Sequence, residues 1–137
     1  MRTSIPILLL VASFLPAFQP GGNGCKDLSP SAFYIRIQQQ PEAVVIDTRL
    51  IEKYRKERIP GARRAPRKKM LQALADSLSP GLPLMVYCDH DDRSKTACRI
   101  LTREMGFSNV YRLKGGFLSW KKQNLPVDTT VIQAGWR

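Results

Sequence analysis

The chain has 137 residues, 43% apolar and 24% charged, with 22 Lys+Arg against 11 Asp+Glu for a formal net charge of +11. These values exclude a disordered, collagen-like or multi-domain protein and support one small core. Three cysteines and one histidine, with no CxxC or HExxH spacing, exclude a disulfide scaffold and offer no zinc site.

The first four residues, Met1-Arg2-Thr3-Ser4, precede a largely apolar run of 14 residues from Ile5 to Phe18, and the breaker-rich Gln19-Pro20-Gly21-Gly22-Asn23-Gly24 follows. This pattern predicts a secretory signal peptide and linker over residues 1–24, because the run is shorter than the about 20 apolar residues of a membrane-spanning helix. Cleavage then places the chain in an oxidising periplasm. Cys25 directly follows the linker, so a lipid anchor on Cys25, giving a membrane-bound lipoprotein, is the alternative. Gly22 stands three positions before it, where a lipobox carries an aliphatic residue.

From Leu28 onward short apolar runs alternate with helical stretches, which predicts an α/β domain over residues 25–128 with a central, mostly parallel sheet of about five strands flanked by helices on both faces. Ser29-Pro30-Ser31 opens a helix through Ala32–Gln39, and Pro41 ends it. Ala43-Val44-Val45-Ile46 is a strand of the kind buried on both faces, with Asp47-Thr48-Arg49 at its carboxyl end. Leu50–Arg58 is a short charged helix and Lys68–Leu78 a second helix. Pro83-Leu84-Met85-Val86-Tyr87 is the next buried strand. Ser94–Met105 reads as a helix with Ala97, Cys98, Leu101 and Met105 on its apolar side, stopped by Gly106. Val110–Leu113 is a strand, Gly115-Gly116 a turn, and Phe117–Gln123 the last helix. Residues 129–137 form a tail with no assignment.

Charge is concentrated between Arg49 and Lys69, where ten basic residues face two acidic ones. A solvated face is the ordinary reading, and capture of an anionic donor or a protein partner the other. Nucleic acid is not expected, since export separates the chain from it and only Tyr54 interleaves the basic residues.

Cys88 falls at the carboxyl end of a buried strand, followed by a short polar loop and a helix. In open parallel sheets, sites form at such ends. Loop amides and the helix dipole favour a thiolate or a bound anion there, and the thiolate is the nucleophilic form of cysteine.

Here the sequence resembles the rhodanese-like sulfurtransferases, over roughly Leu28 to Val127. The family's strand, cysteine, four-residue loop and Arg-Ser helix start stand here as Val86-Tyr87-Cys88-Asp89-His90-Asp91-Asp92-Arg93-Ser94. Its Asp-x-Arg stands as Asp47-Thr48-Arg49, and its Gly-His-Ile-Pro-Gly-Ala as Glu57-Arg58-Ile59-Pro60-Gly61-Ala62. Gly106 through Phe117, followed by Trp120, fit its closing signature. The resemblance implies a persulfide relay. Cys88 takes a sulfane sulfur from a small anionic donor such as thiosulfate or polysulfide and hands it to a thiol, cyanide or protein acceptor. The loop Asp89, His90, Asp91, Asp92, Arg93 and Ser94 would cradle the anion, and no metal or organic cofactor is implied. Phosphatase relatives use a loop one residue longer, which disfavours that chemistry here.

Three carboxylates, Asp89, Asp91 and Asp92, crowd this loop, where like charge opposes both a thiolate and an anionic donor. Arg93 and Arg49 act in the opposite sense. Asp47 and Arg49 read as an ion pair supporting the loop, and His90 as a solvated loop residue or a base. Cys98 reads as core, with a disulfide to Cys88 as the alternative. The rival to the enzyme is a catalytically quiet rhodanese-like module that binds a protein partner or senses redox state through Cys88.

Overall fold

The computed structural model describes residues 24–133, so the expected signal peptide lies almost wholly outside the described residues. Five strands form one all-parallel sheet: β1 (Lys26–Leu28), β2 (Val44–Asp47), β3 (Arg63–Arg64), β4 (Leu84–Tyr87) and β5 (Val110–Leu113), in the order β1-β5-β4-β2-β3. The helices are α1 (Pro30–Gln39), α2 (Ile51–Lys56), α3 (Lys68–Ala75), α4 (Asp92–Arg99) and α5 (Gly116–Lys122). The expected α/β architecture is the observed one, with two short edge strands, β1 and β3, that the apolar pattern did not predict.

The three central strands are buried on both faces, as expected of Val- and Leu-rich runs in a parallel sheet. Alternation along them divides the core in two. Val44, Ile46, Leu84, Val86 and Val110 face Leu71 and Ala75 of α3 and Ala97 and Cys98 of α4. Val45, Met85, Tyr87, Tyr111 and Leu113 face Phe33 of α1 and Phe117 and Trp120 of α5. Trp120 is fully buried, meets Phe33 edge to face at 6.1 Å, and donates its indole N–H to the Pro126 carbonyl at 2.8 Å.

Helix boundaries follow local chemistry. Ser29 caps α1, its side chain accepting the Ala32 amide at 3.3 Å, with Pro30 at the first helical position. The helix expected over Ser94–Met105 starts earlier, at Asp92, and passes into a π-helical turn over Ile100–Glu104, closed by the Met105 amide on the Ile100 carbonyl at 3.1 Å.

The beginning of the expected tail is tied down. Arg58 and Asp128 exchange backbone hydrogen bonds of 3.0 and 2.8 Å, and the Arg58 guanidinium reaches the Thr130 carbonyl at 2.9 Å and the Asp128 carboxylate at 3.0 Å.

Candidate active site

The sheet order places β4 between β5 and β2, so the loop that leaves its carboxyl end stands at the middle of the sheet edge. The Tyr87 carbonyl accepts both the amide and the hydroxyl of Thr48, at 3.0 and 2.9 Å, which fixes the chain just before Cys88. Cys88 is 3% exposed and forms the floor of a bowl of about 170 Å³ lined by Cys88, Asp89, His90, Asp91, Asp92 and Arg93.

The loop's carbonyls are turned outward. Those of Cys88 and Asp89 accept the Phe117 and Leu118 amides of α5 at 2.7 and 3.2 Å. In a trans peptide the N–H points opposite to its carbonyl, so the Asp89 and His90 amides turn away from α5. Among the described residues, no protein acceptor takes the amides of residues 89–93. The Ser94 amide points at the Cys88 sulfur, 3.4 Å away. The Cys88 thiol lies 3.3 Å from Ser94 Oγ, whose own hydroxyl donates to the Asp91 carbonyl at 2.9 Å. A negative sulfur at Cys88 therefore meets the Ser94 amide and the positive end of α4.

Gly116 makes this packing feasible. Its φ is +65°, and a Cβ there would overlap the Asp89 and His90 carbonyl oxygens.

The loop's acidity is largely compensated. Asp89 pairs with Lys53 of α2 and lies 3.7 Å from Arg49. Asp91 pairs with Arg112 of β5 and accepts the Gly115 amide at 3.1 Å. Partial desolvation pushes the Asp91 carboxyl up, but Arg112 and the Gly115 amide outweigh it and hold the group below its ordinary value of 3.8. Asp92 is exposed in the first turn of α4, where a carboxylate complements the helix dipole. His90 and Arg93 are exposed on the rim. Two of the three crowding carboxylates thus hold the loop in place against neutralising cations.

Beneath the loop, Asp47 and Arg49 form a buried bidentate pair, with Arg49 Nη2 2.7 Å from Asp47 Oδ2 and Nε 3.0 Å from Oδ1. Burial lowers the Arg49 affinity for its proton, and the Asp47 carboxylate more than restores it. The guanidinium also donates to the Glu57 carbonyl at 2.7 Å and lies 4.2 Å from the Phe117 ring centroid. Tyr87 donates its hydroxyl to Asp47 at 2.6 Å and accepts the Ile59 amide at 3.1 Å. Where the family has Gly-His, Glu57 pairs with Lys121 of α5 at 2.5 Å and Arg58 is buried against Tyr54.

Sequence reasoning missed Lys53, Arg112 and the Tyr87 hydroxyl. Arg112 had a visible signal, a charge inside the apolar run Val110-Tyr111-Arg112-Leu113. The basic segment does not form one solvated face. Arg49 and Arg58 are buried, Arg64 donates to the Arg49 carbonyl at 3.0 Å, and Lys53 and Lys68 pair with Asp89 and Glu104.

The cysteines also pair differently from expectation. Cys98 is buried on the apolar side of α4 and is bonded to Cys25, 73 residues away, while Cys88 is free. A disulfide between Cys98 and Cys88 is thereby excluded in this state.

The Rhodanese-like domain family model matches residues 29–123. A thiosulfate sulfurtransferase GlpE of Haemophilus influenzae is 32% identical over 107 residues, covering 77% of this chain and 96% of that protein. Its namesake in Actinobacillus succinogenes is 29% identical over 103 residues, covering 75% and 90%. Among solved structures, the rhodanese-like domain of an Anabaena sp. protein superposes with a TM-score of 0.67 at 25% identity, covering 81% and 86%. A thiosulfate sulfurtransferase of Pseudomonas aeruginosa shares the fold, with a TM-score of 0.68 at 21% identity over 78% of this chain and 21% of that one. The motif order, the parallel sheet with its cysteine loop and these matches agree: the chain belongs to the rhodanese-like domain family.

Proposed function

We propose that the protein is an exported sulfurtransferase that carries sulfane sulfur on Cys88. The observation that supports this most directly is the set of amides at residues 89–93 that meet no protein acceptor among the described residues, in the loop that follows a sulfur already addressed by the Ser94 amide at 3.4 Å. Preorganised donors without internal partners suit an anion that arrives and leaves during turnover.

In the first step the Cys88 thiolate attacks the outer sulfur of thiosulfate, forming Cys88–S–S⁻ and releasing sulfite with the bonding pair. In the second, cyanide or a thiolate attacks the terminal sulfur, and Cys88 leaves as the thiolate. Electrons balance without an external oxidant, as in ordinary two-step covalent catalysis. Polysulfide is an equivalent donor, with the shortened polysulfide as leaving group. The Ser94 hydroxyl, within 3.3 Å of the sulfur, can turn from the Asp91 carbonyl to donate to the anion. The compensation of Asp89 and Asp91 by Lys53, Arg49 and Arg112 lowers the barrier to an anionic donor.

Export is supported by the leader-like start of the chain and by the Cys25–Cys98 disulfide, a bond that persists in oxidising compartments. On this reading Cys25 serves as half of a disulfide and not as a lipid anchor.

The test is intact mass and peptide mapping after exposure to thiosulfate or polysulfide. One added sulfur on Cys88, absent in Cys88→Ser and discharged by cyanide as thiocyanate, is the expected result. Folded protein with a free, reduced Cys88 that gains no sulfur from either donor would overturn the assignment.

A further inference from the structure

A cleft of about 300 Å³ lies away from the Cys88 bowl, against the Cys25–Cys98 disulfide. Its rim is cationic. Lys95, Arg99 and Arg103 recur at four-residue spacing along α4 and the π-helical turn, so they share one exposed face. Arg112 lines the cleft too, but it is buried and committed to Asp27 at 2.6 Å and to Asp91. Asp27, the carboxylate lining the cleft, is spent on that pair. Three exposed cations thus line the cleft beside the disulfide, and the carboxylate in that lining, Asp27, is paired with Arg112.

We propose that this cleft is a docking site for small anionic thiols, and that they open the Cys25–Cys98 disulfide there by attack on Cys25. Regiochemistry follows from burial. Cys25 is half-buried at the cleft, whereas Cys98 is 3% exposed and packed in the core beneath α4. The incoming thiolate bonds to the Cys25 sulfur, the S–S bond breaks, and Cys98 leaves with the electron pair as a thiolate beside Lys95 and Arg99. A second thiolate of the same class then attacks the mixed disulfide, releasing the Cys25 thiolate and a small-molecule disulfide. Two thiols are oxidised for each protein disulfide reduced.

The bond's position gives its opening a consequence at the active site. β1 is a three-residue edge strand that, among the described residues, pairs with β5 alone. Its Asp27 holds the Arg112 guanidinium whose other edge holds Asp91 in the Cys88 loop. Loss of the Cys25 tether leaves β1 with its short ladder and this ion pair, and loosens the support of the loop through Arg112.

The inference does not depend on Cys88 chemistry, so the experiment uses the oxidised Cys88→Ser variant. The protein is exposed to 2-mercaptoethanesulfonate or to cysteamine at equal thiolate concentration, and quenched samples are mapped by mass spectrometry. We expect the sulfonate to open the disulfide about tenfold faster at low salt, with the preference fading at high salt. The first adduct should map to Cys25 and the new free thiol to Cys98. Charge reversal by Arg99→Glu with Arg103→Glu should abolish the preference while leaving the cysteamine rate no slower. Equal rates for the two probes, a first adduct on Cys98, or oxidised protein with free thiols at Cys25 and Cys98 would each overturn the proposal. Sulfur uptake by Cys88 is tested separately by mass mapping of the oxidised wild-type protein, so failure of this proposal is distinguishable from failure of the sulfurtransferase reading.

Discussion

The carbonyl of Cys88 accepts the Phe117 amide at 2.7 Å, so α5 grips the peptide of Cys88 and the position of that cysteine depends on a helix that contributes no side chain to the bowl. That grip requires the close approach at Gly116. Gly116→Ala forces a Cβ into the Asp89 and His90 carbonyls at a φ unfavourable to any L side chain. We expect at least about 2 kcal/mol of destabilisation and loss of sulfur loading at Cys88. Gly81→Ala, at an open site, serves as the control. Retention of full loading by a stable Gly116→Ala protein would contradict the dependence of the loop on α5.

The buried Asp47–Arg49 pair should behave as a unit. Arg49→Met leaves the Asp47 carboxylate buried with only the Tyr87 hydroxyl and the Arg49 amide as partners, and should cost about 3–5 kcal/mol in urea unfolding. A cost below about 1 kcal/mol would show that water reaches Asp47.

Acid should release the Arg112–Asp91 clamp. The folded carboxyl titrates below its unfolded value near 3.8, so its contribution is fully present above that value and is lost as pH falls through the lower folded one. The stability difference between wild type and Asp91→Asn should therefore be constant from about pH 5 to 8 and shrink below about pH 4. Because Asp91 is partly exposed, the difference itself should be modest. A difference that vanishes already at neutral pH would remove Asp91 from the clamp.

Tyr87 gives the opposite dependence. Burial foremost, and the Asp47 charge after it, hold the phenol well above its ordinary 10.0. The folded protein then favours the protonated form, and the associated stability is lost as pH rises from the unfolded value through the higher folded one. Tyr87→Phe should cost about 1–3 kcal/mol near neutrality, since the Ile59 amide loses its acceptor. The variant should also show a weaker decline above pH 10. Parallel pH profiles for the two proteins would count against this account.

The central strands were legible because their side chains are buried on both faces, which demands unbroken runs such as Val44-Val45-Ile46 and Leu84-Met85-Val86-Tyr87. β1 and β3 were not, since an edge strand can pair through its backbone while presenting Lys26 and Arg63 to solvent. The Cys88 loop was legible as a local string, and so was the proximity of Asp47 and Arg49, two residues apart. Their compensation of the acidic loop was only half visible. Lys53 and Arg112 reach Asp89 and Asp91 across 36 and 21 residues, through contacts that exist only once α2 and β5 are placed. The Cys25–Cys98 bond was hidden for the same reason, as it depends on β1 lying beside β5 under α4.

The strand order also ranks the domain's parts by how readily they open. β4 is hydrogen-bonded on both sides, to β2 and β5, whereas β1 and β3 each pair on one side among the described residues. Amide protons of Met85 and Val86 should therefore exchange with deuterium only through global unfolding, and those of β1 through local fraying. Cys88 thus follows directly on the strand expected to exchange slowest, while the Cys25 half of the disulfide stands beside an edge strand expected to open first.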